Sequence, residues 1–317
     1  MTDHRALYAA MLRIRMVEEE IATRYSEQEI RCPVHLSIGQ EAPSAAFSLV
    51  AQLKDYAVST HRAHAHYLAK GGNLEAMIAE LYGKVTGCSK GVGGSMHLAD
   101  KSVGFMGSSA IVGNSIPVGV GLGLAAKLQK NRAISWIFLG DAATEEGVYY
   151  ESVNFAVLKK LPVVFVCENN GFSVYSDESV RRPKQQTIPN VAESLGCVSV
   201  SVDGNNALAS LESLRSVSAP VREGEGPALI ELHTFRQREH CGPNFDDDLG
   251  YRSEEYLEDW KLRDPLELLL SKMSDVDDVI WLEETRSNIA TEIDFAFSQA
   301  KEARFPTLEE CEELLYA

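Results

Sequence analysis

Apolar and polar positions along this chain follow two different periods. Continuous runs of β-branched and aromatic residues, "ISWIFLG" and "PVVFVCEN", are typical of fully buried strands. The segments around them repeat apolar residues at helical spacing. Strands that alternate with helices in this way predict βαβ units in a parallel sheet. Further strands are predicted near "CVSVSVDG" and "ALIELHTF".

The same pattern predicts helices over about residues 5–25 and 74–82, and within "IPVGVGLGLAAKLQK" and "TEEGVYYESVNFAVLKK". The stretches "CPVHLSIGQEA" and "VSTHRAHAHYLAKGG" are interpreted as loops. The glycine-dense segment 87–113 indicates backbone packed closely against a ligand, another chain or an ordinary core. We therefore predict one α/β domain over residues 1–252, with a helical C-terminal extension of the same domain over residues 253–317.

Composition narrows the possible functions. Of 317 residues, 45% are hydrophobic, which is enough for a sizeable core, and the net charge is −16, which disfavours binding to nucleic acid or an anionic membrane. The N-terminal segment has no continuous apolar stretch, so neither a signal peptide nor a membrane anchor is expected, and a cytoplasmic location is predicted. Six cysteines without a C-x-x-C pair favour reduced thiols over disulfides or a zinc site.

Two polar residues stand at the ends of predicted buried strands. Asp141 follows the strand "ISWIFLG" and Asn170 follows "PVVFVCEN", which places the two side chains one strand-helix-strand passage apart. Because ligands bind beyond the carboxyl ends of parallel strands, both side chains are expected to reach one point. A carboxylate and a carboxamide suit Mg²⁺ that also binds phosphate oxygens. The structural alternative is that Asp141 caps a helix and Asn170 forms a turn.

A longer set of motifs carries a family resemblance. In order, from about residue 10 to residue 260, they are "HLSIGQEA", "STHRAHAHYLAKG", "GCSKGVGGSMH", "AIVGNSIPVGVGLGLA", "GDAATEEG", "ENNGFSVYS", "VDGNN" and "GYRS". Together they resemble the alpha chain of the decarboxylating component of 2-oxo acid dehydrogenases, a group that includes pyruvate, branched-chain 2-oxo acid and acetoin dehydrogenases. The resemblance implies an α/β thiamine diphosphate-binding fold, with a mainly parallel sheet flanked by helices and a helical C-terminal layer.

The resemblance also implies a cofactor site for thiamine diphosphate and Mg²⁺. Its metal ligands are Asp141, Asn170 and the backbone carbonyl of Phe172. Arg62 matches the arginine that grips the diphosphate, a role that its planar donor fork suits. The other implied cofactor contacts are His61, where several relatives have Tyr, Ala110 and Val112 through their main chain, and Ala142 and Ala143 beside the diphosphate. Ala142 departs from the glycine usual at its position.

Three histidines are candidates for catalysis by the same resemblance. His240 matches an active-site histidine on a mobile loop, where a protonated imidazole could stabilise negative charge or transfer protons. His64 and His97 are candidate substrate contacts, with a structural role as the alternative. The spacing in "HRAHAH" also fits transition-metal ligands, but no acid or cysteine completes such a site.

The implied activity is decarboxylation of a small 2-oxo acid, or cleavage of acetoin, with transfer of the acyl unit to an acceptor such as a lipoyl group. The glutamate that activates the cofactor comes from a separate beta subunit in two-chain members, so a heterotetramer of two alpha and two beta chains is expected. A lipoyl-bearing acyltransferase is a further candidate partner. The alternatives are a lipoyl-independent carboligase that uses a sugar or aldehyde, and a non-catalytic scaffold for a beta-like chain.

The loop after His240 departs from the family pattern. Cys241 replaces a serine that is a phosphorylation site in some members, so kinase control there is not expected. The acidic run Asp246 to Asp248 is expected to face the acyl acceptor. Because lipoyl domains are commonly acidic, this run motivates the carboligase alternative.

Overall fold

A six-stranded parallel sheet forms the centre of the molecule. The computed structural model describes residues 2–273 and 276–314. The strand order is β2-β1-β3-β4-β8-β7, and every neighbouring pair is parallel. A separate antiparallel hairpin is formed by β5 and β6. The strands are β1 Tyr56–Ser59, β2 Phe105–Ser108, β3 Ser135–Gly140, β4 Val163–Asn169, β5 Phe172–Ser173, β6 Ser176–Asp177, β7 Val198–Asp203 and β8 Ala228–His233.

Helices cover both faces of the sheet, and more helices follow the last strand. They are α1 Thr2–Arg24, α2 Glu41–Ser48, α3 His64–Ala69, α4 Leu74–Leu81, α5 Ser115–Gln129, α6 Gly147–Leu158, α7 Glu178–Arg181, α8 Ile188–Ser194, α9 Ala207–Arg222, α10 Glu254–Lys261, α11 Pro265–Leu270, α12 Val276–Glu302 and α13 Leu308–Glu313. The predicted fold class, a parallel α/β sheet with a helical C-terminal layer, is confirmed. The division at residue 252 stays a prediction.

Alternate residues of the central strands enter two hydrophobic cores. Trp136 and Phe138 of β3 pack with α1, α2 and α9, while Ile137 and Leu139 pack on the opposite face with α5, α6 and α8. Both faces of β3 and β4 are therefore buried, as their continuous apolar runs predict. Among the described residues, no helix combines the length and apolar composition needed to cross a bilayer.

Several elements lie where the sequence suggested loops. α3 falls within "VSTHRAHAHYLAKGG", β1 ends within the same segment, and α2 begins within "CPVHLSIGQEA". The histidines of α3 are buried, so the helix lacks a recognisable apolar stripe. β2 lies inside the glycine-dense segment, and its four residues obtain their strand pairing from β1. The helix expected from Thr144 begins at Gly147, because residues 141–145 form a 3₁₀ turn.

Glu80 organises the glycine-dense segment. Its buried carboxylate accepts backbone N–H bonds from Ser89 and Gly93 at 2.7 Å, from Gly91 at 2.9 Å and from Gly94 at 3.1 Å. A Cβ on Gly91 would lie 2.7 Å from the backbone carbon of Gly83. The close packing that the glycines indicate is therefore satisfied, in this part, within the chain itself.

Candidate functional site

Four neighbouring strands end at one cleft. β1, β3, β4 and β8 are adjacent and parallel, so their carboxyl ends lie along one edge of the sheet. The segments that follow them carry Arg62, Asp141, Asn170 and His240 respectively. Successive strands are added to one side of β1 up to β2, and to its other side from β3 onwards, so the strand order switches between β1 and β3. At such a switch point α/β proteins have the crevice in which they bind ligands.

The cleft encloses about 820 Å³, its open mouth included. Most of the predicted site residues line it: His61, Arg62, Val112, Asp141, Ala142, Ala143, Asn170, Phe172 and His240. The structure thus brings together side chains from positions 61 to 240. The lining also contains residues that were not among the predicted site residues, among them Gln40, His66, Glu168, Ser173 and Val174.

Three predicted residues do not line this cleft. His64 is fully buried, with its Nε2 2.8 Å from Ser95 Oγ and its Nδ1 3.3 Å from a Glu18 carboxylate oxygen. His97 is exposed, and its Nε2 accepts a 3.4 Å hydrogen bond from the backbone N–H of Ala110. The contacts of His64 favour the structural alternative for this residue, and its role as a substrate contact stays a prediction. His97 and Ala110 lie together on a neighbouring loop.

Arg62 is a buried cation that has no salt-bridge partner among the described residues. Its guanidinium donates to the carbonyl oxygens of Leu36 at 2.6 Å and His240 at 3.1 Å, and the side chain forms no salt bridge with the described residues. Burial and the charge of Arg236 lower the pKa of Arg62 to about 10. A buried, uncompensated cation at the wall of a cleft favours an anionic ligand. This is the feature that a bound diphosphate would satisfy.

Three imidazole rings lie close enough to Arg62 for its charge to affect each of them. His35, His61 and His240 have ring centroids 4.6 to 5.4 Å apart. Burial, with the adjacent Arg62 charge, lowers the pKa of His35 to about 2, of His61 to about 3 and of His240 to about 4. Near neutral pH the rings are uncharged in the free chain. The protonated His240 expected from the sequence therefore requires an anion beside it.

The three rings also meet the geometric requirement for a transition-metal site, since their nitrogens lie within 4.8 Å of one another. The neighbouring Arg62 opposes this use, because it places a positive charge beside the cation. Its charge also contributes to the lowered pKa of all three histidines. The buried Nδ1 of His35 has no hydrogen-bond partner among the described residues, which leaves a polar atom for a ligand to satisfy. The electrostatics favour an anion over a metal at this point.

Asp141 is a buried acid at the end of β3. Burial raises the pKa of its carboxyl, and the charge of Arg181 opposes that rise. Arg181 donates to Asp141 Oδ2 at 2.5 Å, and Arg182 donates to the Asp141 carbonyl oxygen at 3.2 Å. The Asp141 side chain caps no helix, so the helix-capping role that the sequence offered for Asp141 is not found.

Asn170 directly follows β4, the strand next to β3 in the sheet. Its Oδ1 accepts a 3.2 Å hydrogen bond from the backbone N–H of Phe172, so the side chain does stabilise the turn that the sequence suggested. Its Nδ2 donates to Gln40 Oε1 at 2.9 Å. A carboxylate and a carboxamide oxygen in one cleft fit the oxygen preference of Mg²⁺.

Glu168 and His66 add a polar wall that the sequence did not reveal. Glu168 lies two residues before Asn170 on β4, and its Oε1 is 3.1 Å from His66 Nε2. The ring of His66 stacks on Phe138 and its Nδ1 is 2.7 Å from Ser59 Oγ. The only sequence signal was the period of two along a strand, which places Glu168 and Asn170 on one face.

The acidic run of the 240–252 loop is largely internal. Asp246 is 2% exposed, and it pairs with Arg236, Arg252 and the hydroxyl of Tyr251. Asp247 pairs with Arg252 at 3.1 Å, whereas Asp248 is exposed. The expectation that all three acids face an acceptor is therefore wrong, because Asp246 holds the loop together. Cys241 is exposed, and partial desolvation of its thiol raises the pKa of that group, which does not favour a reactive thiolate.

The sequence matches known proteins over nearly its whole length. Residues 9–309 match the model of the family described as "Dehydrogenase E1 component". The pyruvate dehydrogenase E1 component subunit alpha of Rickettsia bellii is 38% identical over 256 residues, which cover 81% of this chain and 77% of that protein. The corresponding subunit of Porphyra purpurea is 33% identical over 331 residues, covering 100% of this chain and 94% of the relative.

A relative with a different activity is nearly as similar. The alpha subunit of the acetoin:2,6-dichlorophenolindophenol oxidoreductase of Bacillus subtilis is 32% identical over 310 residues, which cover 96% of this chain and 92% of that protein. The similarities to both kinds of enzyme extend beyond the residues of the cleft and cover at least 81% of this chain. The chain therefore belongs to the dehydrogenase E1 component family, a membership that implies thiamine diphosphate as its cofactor.

Proposed function

We propose that this chain is the alpha subunit of a thiamine diphosphate-dependent 2-oxo acid dehydrogenase component. The observation that carries the proposal is the cleft itself. There the uncompensated Arg62 and the pair Asp141 and Asn170 lie at the ends of adjacent strands. Pyruvate and acetoin are the proposed substrates, since relatives named for both are similar to this chain.

In the proposed site, Asp141, Asn170 and the carbonyl oxygen of Phe172 would hold Mg²⁺, which would anchor the diphosphate. Arg62 would bind the diphosphate oxygens, and His61 would lie beside them. Thiamine diphosphate, when bound, supplies the electron sink for loss of carbon dioxide. His240 would take up a proton beside the bound anion and so neutralise charge at the reacting centre.

A beta subunit is the proposed partner, as the names of the alpha-subunit relatives suggest. An apolar face supports this proposal. α5 and α6 lie in contact on one side of the sheet and expose Val118, Leu128, Phe155 and Leu158. Val112, three residues before α5, is 50% exposed and lines the cleft, so an exposed apolar residue of the site lies close in sequence to this face. A chain bound there would close the mouth of the cleft.

A lipoyl group on an acyltransferase is the proposed acceptor. The carboligase alternative rested on an acidic loop, and that support is reduced because Asp246 is buried and paired. The scaffold alternative does not account for an uncompensated Arg62 beside Asp141 and Asn170.

The test is carbon dioxide release from pyruvate by this chain co-purified with its beta chain, with Mg²⁺ and thiamine diphosphate. Turnover that requires an added electron acceptor would support the dehydrogenase proposal. Turnover that instead requires an aldehyde or a sugar would favour the carboligase. Cleavage of acetoin in parallel assays would separate the two proposed substrates, and absence of cofactor binding would favour the scaffold.

A further inference from the structure

We propose that Gln40 is a positioning residue that fixes the amide orientation of Asn170 and so presents the Asn170 oxygen to the metal. The inference rests on the proposed function, because it takes Asn170 to be a metal ligand. Gln40 lies 130 residues away in the sequence, immediately before α2, and it lines the same cleft.

The two ends of a carboxamide have nearly the same shape and opposite hydrogen-bonding character. Only the oxygen of Asn170 can bind a hard cation, since its nitrogen carries two donors and no available lone pair. A rotation of the amide by half a turn would therefore present N–H groups to Mg²⁺. The site needs a device that selects one orientation.

The hydrogen bonds around Asn170 provide this selection. The backbone N–H of Phe172 can only donate, and it donates to Asn170 Oδ1 at 3.2 Å. The Asn170 Nδ2 then faces Gln40 and donates to its Oε1 at 2.9 Å. In the flipped orientation both bonds would be lost, because two donors would meet at Phe172 and two acceptors would meet at Gln40 Oε1. The Oδ1 that accepts from Phe172 keeps a second lone pair for a metal ion.

Gln40 is itself held in place. Its side chain is 1% exposed, and its Oε1 also accepts a 3.3 Å hydrogen bond from the hydroxyl of Thr234, which is fully buried. The backbone N–H of Gln40 donates to the carbonyl of Ser37 at 2.8 Å. Gln40 Oε1 is the one acceptor that the described residues offer to Asn170 Nδ2, so we take the orientation of Asn170 to depend on this glutamine oxygen.

The experiment compares two substitutions at Gln40. Gln40→Met keeps the length of the side chain and removes the acceptor, whereas Gln40→Glu keeps an oxygen acceptor at the same position. Outer-shell partners of metal ligands typically contribute about 10–100-fold in metal affinity. We expect Gln40→Met to weaken Mn²⁺ binding by about that factor, and Gln40→Glu to restore affinity to within about threefold of the parent.

Mn²⁺ affinity is measured by the loss of the free-ion paramagnetic resonance signal, with thiamine diphosphate present and the beta chain co-purified. Gln299→Met, an exposed glutamine on α12, is the matched control and should bind as the parent does. Equal losses in Gln40→Met and Gln40→Glu would overturn the inference, since they would show a packing role. Parent-like affinity in Gln40→Met would overturn it as well.

Two further variants separate this inference from the proposed function. Asp141→Ala and Asn170→Ala should each abolish Mn²⁺ binding if they are ligands. If they do so while Gln40→Met binds normally, the metal site stands and the role of Gln40 is refuted. If Asp141→Ala and Asn170→Ala bind Mn²⁺ as the parent does, the proposed metal site is itself refuted, and the inference with it.

Discussion

Single residues decide the electrostatics of the cleft. Arg62, His35, His61 and His240 come from three separate segments and form a cation with three uncharged imidazoles around it. Because the pKa values of the three histidines are lowered, the folded free chain keeps their rings unprotonated. In acidic solution this lowers the stability of the folded chain relative to the unfolded chain, whose histidines bind protons more readily.

This arrangement predicts a pH dependence of stability. The pKa of each histidine is lower in the folded chain than its usual value near 6.5, so the unfolded chain binds more protons below that pH. Stability should therefore fall as the pH decreases from about 6.5 towards 4. Inorganic pyrophosphate should oppose the fall, because an anion favours the protonated rings. The measurement is the melting temperature between pH 7.5 and pH 5, with and without pyrophosphate.

His61→Phe removes one of these bases and should reduce the pH dependence, while His97→Phe, an exposed control outside the cleft, should not. Identical pH profiles for His61→Phe and the parent would show that the cluster does not control acid stability.

Asp141 and Asn170 were predictable at this scale because both directly follow recognisable buried strands. Gln40 and His35 were not, since their contacts join segments far apart in sequence. No local pattern marks a side chain whose role depends on a partner 130 residues away.

At the scale of secondary-structure elements, helix α5 contains one glycine that is closely packed on the sheet and one that faces open space. A Cβ on Gly119 would lie 2.4 Å from Ile137 Cγ1 and 2.8 Å from Val58 Cγ2, both in fully packed strands. A Cβ on Gly121 would meet nothing within 4 Å. The first glycine permits close packing of the helix on the sheet, while the second lies on its exposed side.

Gly119→Ala should destabilise the chain by about 1–3 kcal/mol, because the added methyl group overpacks the core by more than the helix gains. Gly121→Ala should stabilise the chain by about 0.5–1 kcal/mol, since alanine is the better helix former and no contact opposes it. Urea unfolding of the two variants gives both free energies. If Gly119→Ala instead raised the free energy of unfolding, the side chains of Ile137 and Val58 would have to move to accommodate the added methyl group.

Elements with continuous apolar runs were predictable, and those without them were not. β3 and β4 are buried on both faces, and their composition shows it. β1 and β2 have only four residues each, and their strand conformation depends on pairing with neighbours. The same reason hides α3, whose buried histidines are paired with polar groups that lie elsewhere in the chain.

The whole molecule presents the α5/α6 face beside an open cleft. Its apolar side chains are exposed in the single chain, and so is Val112, which lines the cleft just before α5 begins. If a beta subunit covers this face, the cleft is completed only in the complex.

A charge on this face should block assembly and leave the fold intact. Val118→Asp and Leu158→Asp replace side chains that are 50% and 72% exposed, so the chain should fold normally. Each should prevent co-purification with the beta chain, because the carboxylate would be buried without a partner. Leu53→Asp, at a residue 74% exposed before β1, is the matched control. Complexes that form normally with both variants would place the partner on another surface.

The proposed metal ligands Asp141 and Asn170 lie close together in the sequence, whereas the anion-binding residues lie far apart. Asp141 and Asn170 belong to one continuous strand-helix-strand unit, whereas Arg62 and His240, joined by a 3.1 Å hydrogen bond, lie 178 residues apart. Recombination or drift in the loops after β1 and β8 would alter what the cleft recognises without moving the two ligands. Metal binding and anion binding can thus be changed separately, because they depend on different stretches of the chain.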